Sequence, residues 1–168
     1  MEETITNNNI LDFDLFQVCG LEVDDETRLD IEAGLYRAAV IELLETELPS
    51  VMGEEQYSKL EESLEEMDMS DSVKFVEAIT LKGKDFGIDI KQILDQVVSR
   101  VEEEFVQDQI NYFERKAQKI TDPTQKELKL SAIRDLKSLF SKKSWEQMGA
   151  LFKSANLYTM QDSLVLSL

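Results

Sequence analysis

Six carboxylates, Glu61, Glu62, Glu65, Glu66, Asp68 and Asp71, fall within eleven positions, and oxygen ligands at that density raise metal binding as the first chemistry to weigh. A hard cation such as calcium takes roughly six to eight oxygens, and a twelve-residue calcium loop needs glycine at its sixth position and a bidentate glutamate at its last. Counted from Asp68, those places hold Val73 and Ile79, so a calcium loop is not expected. The chain contains no histidine, which removes the usual general base near neutrality and the commonest transition-metal ligand. Serine triads and Glu-x-x-His di-iron pairs are thereby excluded. A carboxylate enzyme would need paired acids whose surroundings drive their pKa values apart, whereas these acids lie opposite apolar stripes, as the wet face of a helix does. No G-x-x-x-x-G-K-[ST] occurs, and Gly83-Lys84 with Gly87 is too sparse to cradle a phosphate. The single Cys19 rules out an intramolecular disulfide and a cysteine cluster for zinc or iron–sulfur. The expectation is a noncatalytic chain with no metal and no cofactor.

Surface chemistry remains. Glu61, Glu62, Glu65 and Glu66 form the candidate acidic interaction face, four charges in roughly 7.5 Å of helix, which approaches the density of about one charge per 1.7 Å on duplex DNA. Across Glu54 to Glu66 the spacing relaxes to about 3 Å per charge and Lys59 lowers it further, so mimicry of nucleic acid holds over one turn only. The net charge is −17; residues 1–105 carry 28 acids and 8 bases, net −20, and residues 106–168 carry 7 and 10, net +3. An acidic body repels free DNA and anionic membranes. The bases between Arg115 and Lys143 oppose that repulsion, although lysines at this spacing are ordinary on amphipathic helices and able to neutralise the protein's own acids. Trp145, Met148 and Phe152 repeat at helical intervals and are the candidate apolar partner surface, with core packing as the competing assignment.

The elements that must position these groups are helices. The chain has 168 residues, 42% hydrophobic and 32% charged, with six glycines and two prolines, a helix-rich globular composition. No apolar run approaches the ~20 residues that span a bilayer, and the start lacks a basic, apolar leader, so a soluble cytoplasmic protein is expected. Residues 1–11 read as flexible. A short helix over Asp12 to Val18 ends near Gly20, and Asp24 or Asp25 caps a long helix that Pro49 stops after Leu48. Leu29, Ala33, Tyr36, Val40 and Leu43 share one face, widened by Ile31, Leu35, Ala39 and Leu44, so this helix is expected to be central and the most buried. Gly34 and Ala38, four apart, would let another backbone pack closely.

A helix from Glu54 to Met67 follows, then one capped by Asp68, Ser70 or Asp71 that carries Val73, Val76 and Ile79, then LKGKDFGID as a hinge loop. Asp89 caps a helix from Ile90 to Lys119, roughly 45 Å long, with Ile90, Leu94, Val97, Val101, Phe105 and Tyr112 on one face. Asp122-Pro123 with Gln125 restarts a helix to Phe140, Ser144 opens another, and Leu164 to Leu168 ends an apolar tail. From about Phe16 to Gln107 the punctuation, namely Gly20-Leu21, Asp-Asp-Glu-Thr-Arg, Leu-Leu-Glu-Thr-Glu-Leu-Pro, a Glu-rich helix and Asp-x-x-x-x-Val-x-Phe-Val, resembles a bacterial family of small acidic helical modules of unknown function. The resemblance implies an α-helical module and carries over no activity or binding residue.

The expected fold is all-α: an acidic N-terminal helical bundle over 12–107, linked by the long helix to a smaller basic C-terminal helical hairpin over 108–156, with an apolar tail over 157–168. The expected function is noncatalytic protein–protein interaction, as an adaptor or regulatory module. The alternatives are an acidic inhibitor or nucleic-acid mimic that occupies a basic nucleic-acid-binding protein, and a carboxylate-dependent enzyme. The expected partner is another protein with a basic surface, with no direct DNA binding, no membrane, and a homo-oligomer left open.

Overall fold

A computed structural model describes residues 9–64 and 72–157. The described chain is all-α, with no strand among the described residues. A 3-10 turn over Ile10–Asp12 leads into α1 (Leu15–Val18), α2 (Asp25–Glu42), a π-turn (Leu43–Glu47), α3 (Leu48–Met52), α4 (Glu54–Leu64), α5 (Ser72–Asp85), α6 (Ile90–Gln118), α7 (Pro123–Ser141) and α8 (Trp145–Ser154). The Asp122 carboxylate accepts the Gln125 N–H at 2.7 Å and Pro123 sits in the first turn of α7, as that short motif predicts. None of the helices among the described residues is long and apolar enough to cross a membrane.

The chain forms two compact units, residues 1–31 with 102–168 (unit 1) and residues 32–101 (unit 2). The chain passes from unit 1 to unit 2 inside α2 and returns inside α6. This division differs from the expected boundary at 107, because α1 packs on α8 and the N-terminal residues therefore belong with the C-terminal helices. Charge is redistributed accordingly. Unit 1 holds 19 acids and 11 bases, net −8, and unit 2 holds 16 and 7, net −9, so the sequence-level contrast between an acidic and a basic half is not a contrast between these units.

Unit 2 is built on Leu43, Leu48, Leu60, Ile79 and Ile90, all 0% exposed. Full burial of such side chains contributes about 1.5–3 kcal/mol each. The Tyr57 hydroxyl donates to the Leu44 carbonyl at 2.7 Å, which ties α4 to the π-turn. Pro49 does not stop the helix as expected. Its ring would strike the carbonyl of Glu45 in a continuing α-helix, and the chain instead widens: the Leu48 N–H bonds to the Leu43 carbonyl, five residues back, and Pro49 lies in the first turn of α3, where no N–H is required. The same widening brings Glu42 and Glu47 to one guanidinium, with Arg100 Nη2 at 2.6 Å from each. In a regular α-helix those two residues would point about 140° apart.

Three further expectations are corrected. α2 is not the most buried helix: Leu29 is 64% exposed, and Gly34 and Ala38 face solvent rather than a packed backbone. The loop expected over LKGKDFGID is shorter, since α5 runs to Asp85 and includes Gly83. The buried stripe of α6 follows Ile90, Leu94, Val97 and Val101 within unit 2, but in unit 1 it resumes at Val106, Ile110, Phe113 and Ala117. Phe105 and Tyr112, expected on that stripe, are half-buried.

Candidate functional site

Asp14 begins the site. Its Oδ1 accepts the N–H groups of Phe16 at 2.9 Å and Gln17 at 3.3 Å, an N-cap that satisfies the first-turn donors of a helix only four residues long. A helix of that length has no stability of its own. It is held in place by tertiary contacts: Leu15, Phe16 and Val18 are buried, and Arg28 pairs with Asp14 Oδ2 at 3.1 Å while its guanidinium lies 4.7 Å over the Phe16 ring.

Across from α1 stands α8, and two glycines set their separation. A Cβ at Gly149 would lie 2.1 Å from the Gln17 carbonyl oxygen, so only glycine admits this approach of the two backbones. Gly20, just past α1, has φ of +64°, and a Cβ there would meet the Phe152 Cβ at 2.7 Å. Along this contact runs a groove of about 490 Å³, lined by Phe13, Asp14, Gln17 and Val18 on one side and Trp145, Glu146, Gly149, Ala150 and Lys153 on the other. That volume lies within the roughly 300–1,000 Å³ of ligand pockets. Glu146, Ala150 and Lys153 recur at intervals of four and three and so share one face of α8. All three are exposed.

Electrostatically the groove has three ionic groups. Asp14 is paired with Arg28, and Lys153 Nζ lies 3.8 Å from Glu22. Glu146, at the start of α8, has no hydrogen bond or ion pair among the described residues. Cys19, nearby in sequence, is fully buried; burial pushes its thiol far above the ordinary range, with the Glu102 charge adding to the shift. It is therefore a core residue.

The expected site residues fare differently. Trp145, Met148 and Phe152, the candidate apolar partner surface, are 1%, 0% and 0% exposed, so core packing, the competing assignment, is what the structure shows for them. They are the core of unit 1: the rings of Trp145 and Phe140 meet edge-to-face at 5.7 Å, and those of Phe152 and Phe113 at 6.3 Å. Phe140 belongs to α7 and Phe113 to α6, and residues 15–21 pack on α8 through the Gly149–Gln17 and Gly20–Phe152 approaches. Of the three, Trp145 alone reaches the groove, as part of its floor.

Glu61 and Glu62 are exposed on α4, whereas Glu65 and Glu66, like Asp68, Ser70 and Asp71, lie outside the described residues. Among the described residues no group of three or more acids or cysteines is placed to hold a metal ion. The bases of the C-terminal run are largely engaged within unit 1: Lys137 pairs with Glu114 at 2.7 Å, Lys143 with Glu103 at 2.6 Å, and the Lys129 amine donates to the carbonyls of Ala155 and Asn156 at the end of α8. Phe13, Asp14, Gln17 and the α8 face were not anticipated as a site. The available signal was Gly149, an isolated glycine inside a helical pattern, which marks a close approach.

No family model, curated protein or solved structure matches this chain.

Proposed function

We propose that the protein is a noncatalytic interaction module, an adaptor or regulatory subunit, that binds another protein through the groove between α1 and α8. The observation that carries this reading is the groove itself: its two sides are held together by the Gly149–Gln17 backbone contact, and its lining includes the buried Trp145 and the small, exposed Ala150. A cleft whose walls are set by backbone contact presents its shape before a partner arrives, which lowers the ordering cost of association. The acidic excess, −17 over the chain, steers basic partners toward it and favours encounter more than retention.

The test is capture from native lysate on the immobilised protein, comparing the natural chain with Ala150→Trp. Ala150 is exposed, so an indole there fills the groove without entering the core. Proteins retained at high salt by the natural chain and lost with Ala150→Trp support the reading; identical retention by both overturns it. Loss with Glu61→Lys/Glu62→Lys and not with Ala150→Trp would move the interaction to α4, the outcome expected of an acidic mimic.

A further inference from the structure

We infer that the groove of unit 1 receives the side chain of an arginine or lysine on the partner protein, with Glu146 as its counter-charge. The inference rests on the groove being the binding site and adds the chemistry of its occupant.

Charge balance inside the groove selects the sign. Two of its three ionic groups are already compensated within unit 1, Asp14 by Arg28 at 3.1 Å and Lys153 by Glu22 at 3.8 Å. Glu146 is exposed and has no partner among the described residues, so the charge the groove leaves unanswered is negative. The surroundings reinforce that sign: unit 1 is net −8 and the chain net −17. A second copy of this chain would meet this excess with its own, whereas a basic partner is drawn to it. Shape selects the kind of cation. Glu146 shares its face of α8 with the small Ala150, and the half-buried Phe13 lines the opposite side of the groove, which suits a side chain that has an aliphatic stem and a charged head. A simple metal ion would find one carboxylate and too few oxygens. The element that builds the groove already shows the contact in miniature, since Arg28 lies over Phe16 of α1 while pairing with Asp14.

The indole N–H of Trp145 gives a direct reading, because it is the one tryptophan in the chain and forms part of the groove floor. Acetylated and amidated tripeptides Ala-Arg-Ala, Ala-Leu-Ala and Ala-Glu-Ala are titrated into the 15N-labelled full chain. Ala-Arg-Ala is expected to shift the Trp145 indole and the Gly149 and Ala150 amides saturably, Ala-Glu-Ala to leave them in place, and Glu146→Gln to weaken the arginine probe by about fivefold. Glu146 is exposed, so this variant keeps the fold, and its thermal melt verifies that. Equal shifts with Ala-Leu-Ala would overturn the basic occupant while leaving the groove as a site. Stronger binding of Ala-Glu-Ala would also overturn it and make Lys153 the recognising charge. No shift with any probe overturns it too, and retention by Ala150→Trp in the capture experiment then decides whether the groove reading falls with it.

Discussion

At Gly149 a single added methyl would place a carbon 2.1 Å from the Gln17 carbonyl oxygen, whereas at Gly34 the same methyl would meet nothing within 4 Å. Gly149→Ala is therefore expected to lower stability by about 1–3 kcal/mol or more through forced separation of two backbones, and Gly34→Ala to raise it by about 0.5–1 kcal/mol by removing unfolded-state freedom from an exposed helix position. Urea unfolding of the two variants checks both signs. The contrast also shows what was legible at this scale. Spacing identified Gly34 with Ala38 as a packing pair and Trp145, Met148 and Phe152 as one apolar stripe, yet periodicity names a face without naming what covers it. The stripe packs against Phe140 of α7 and Phe113 of α6, and α8 is met as well by α1, whose four residues carry too little pattern to announce that role, while the face of Gly34 is left open.

Helix boundaries were legible wherever a cap or a proline has one local meaning, as at Asp122-Pro123. They were less so where tertiary packing decides, as at Pro49, where a π-turn widens the chain rather than ending it. α6 shows the same limit: one helix serves two cores, and a stripe extrapolated from Val101 to Phe105 assumes a single packing surface, while burial in unit 1 resumes at Val106. On α2 and its continuation, Leu29→Ala should change stability by less than about 0.5 kcal/mol, since Leu29 is 64% exposed, and Leu43→Ala should cost about 2–5 kcal/mol, since Leu43 is 0% exposed; denaturant midpoints measure the difference. The start of α2 adds a pH dependence. The Asp24 carboxylate accepts the Thr27 N–H at 2.7 Å, and that bond holds its pKa below the ordinary aspartate value. A lowered folded-state pKa contributes stability that is present above the unfolded-state value and is lost as pH falls through the folded one. Asp24→Ala should therefore be less stable than the natural chain at neutral pH and equal to it in acid, as followed by thermal melts across the carboxylate range.

For the molecule as a whole, the near-equal acidity of the two units, −8 and −9, means that each bears its own like-charge repulsion. Screening should raise the melting temperature between low salt and about 0.15 M; a melting temperature that falls instead would show that the ion pairs of Lys137, Lys143 and Arg100 outweigh the repulsion. The all-helical class was readable from composition and period, because both are properties of the chain taken segment by segment. The grouping of residues 1–31 with 102–168 was not, because it depends on a backbone contact between distant segments. That contact also creates the groove on which the proposed function depends, and site-specific photo-crosslinking interrogates it most directly. A photoreactive side chain is placed at Ala150 or at Glu62 and the full chain is irradiated in native lysate. Discrete partner adducts from position 150, reduced when the arginine tripeptide is added, are the predicted result; adducts from position 62 with none from position 150 would contradict the account.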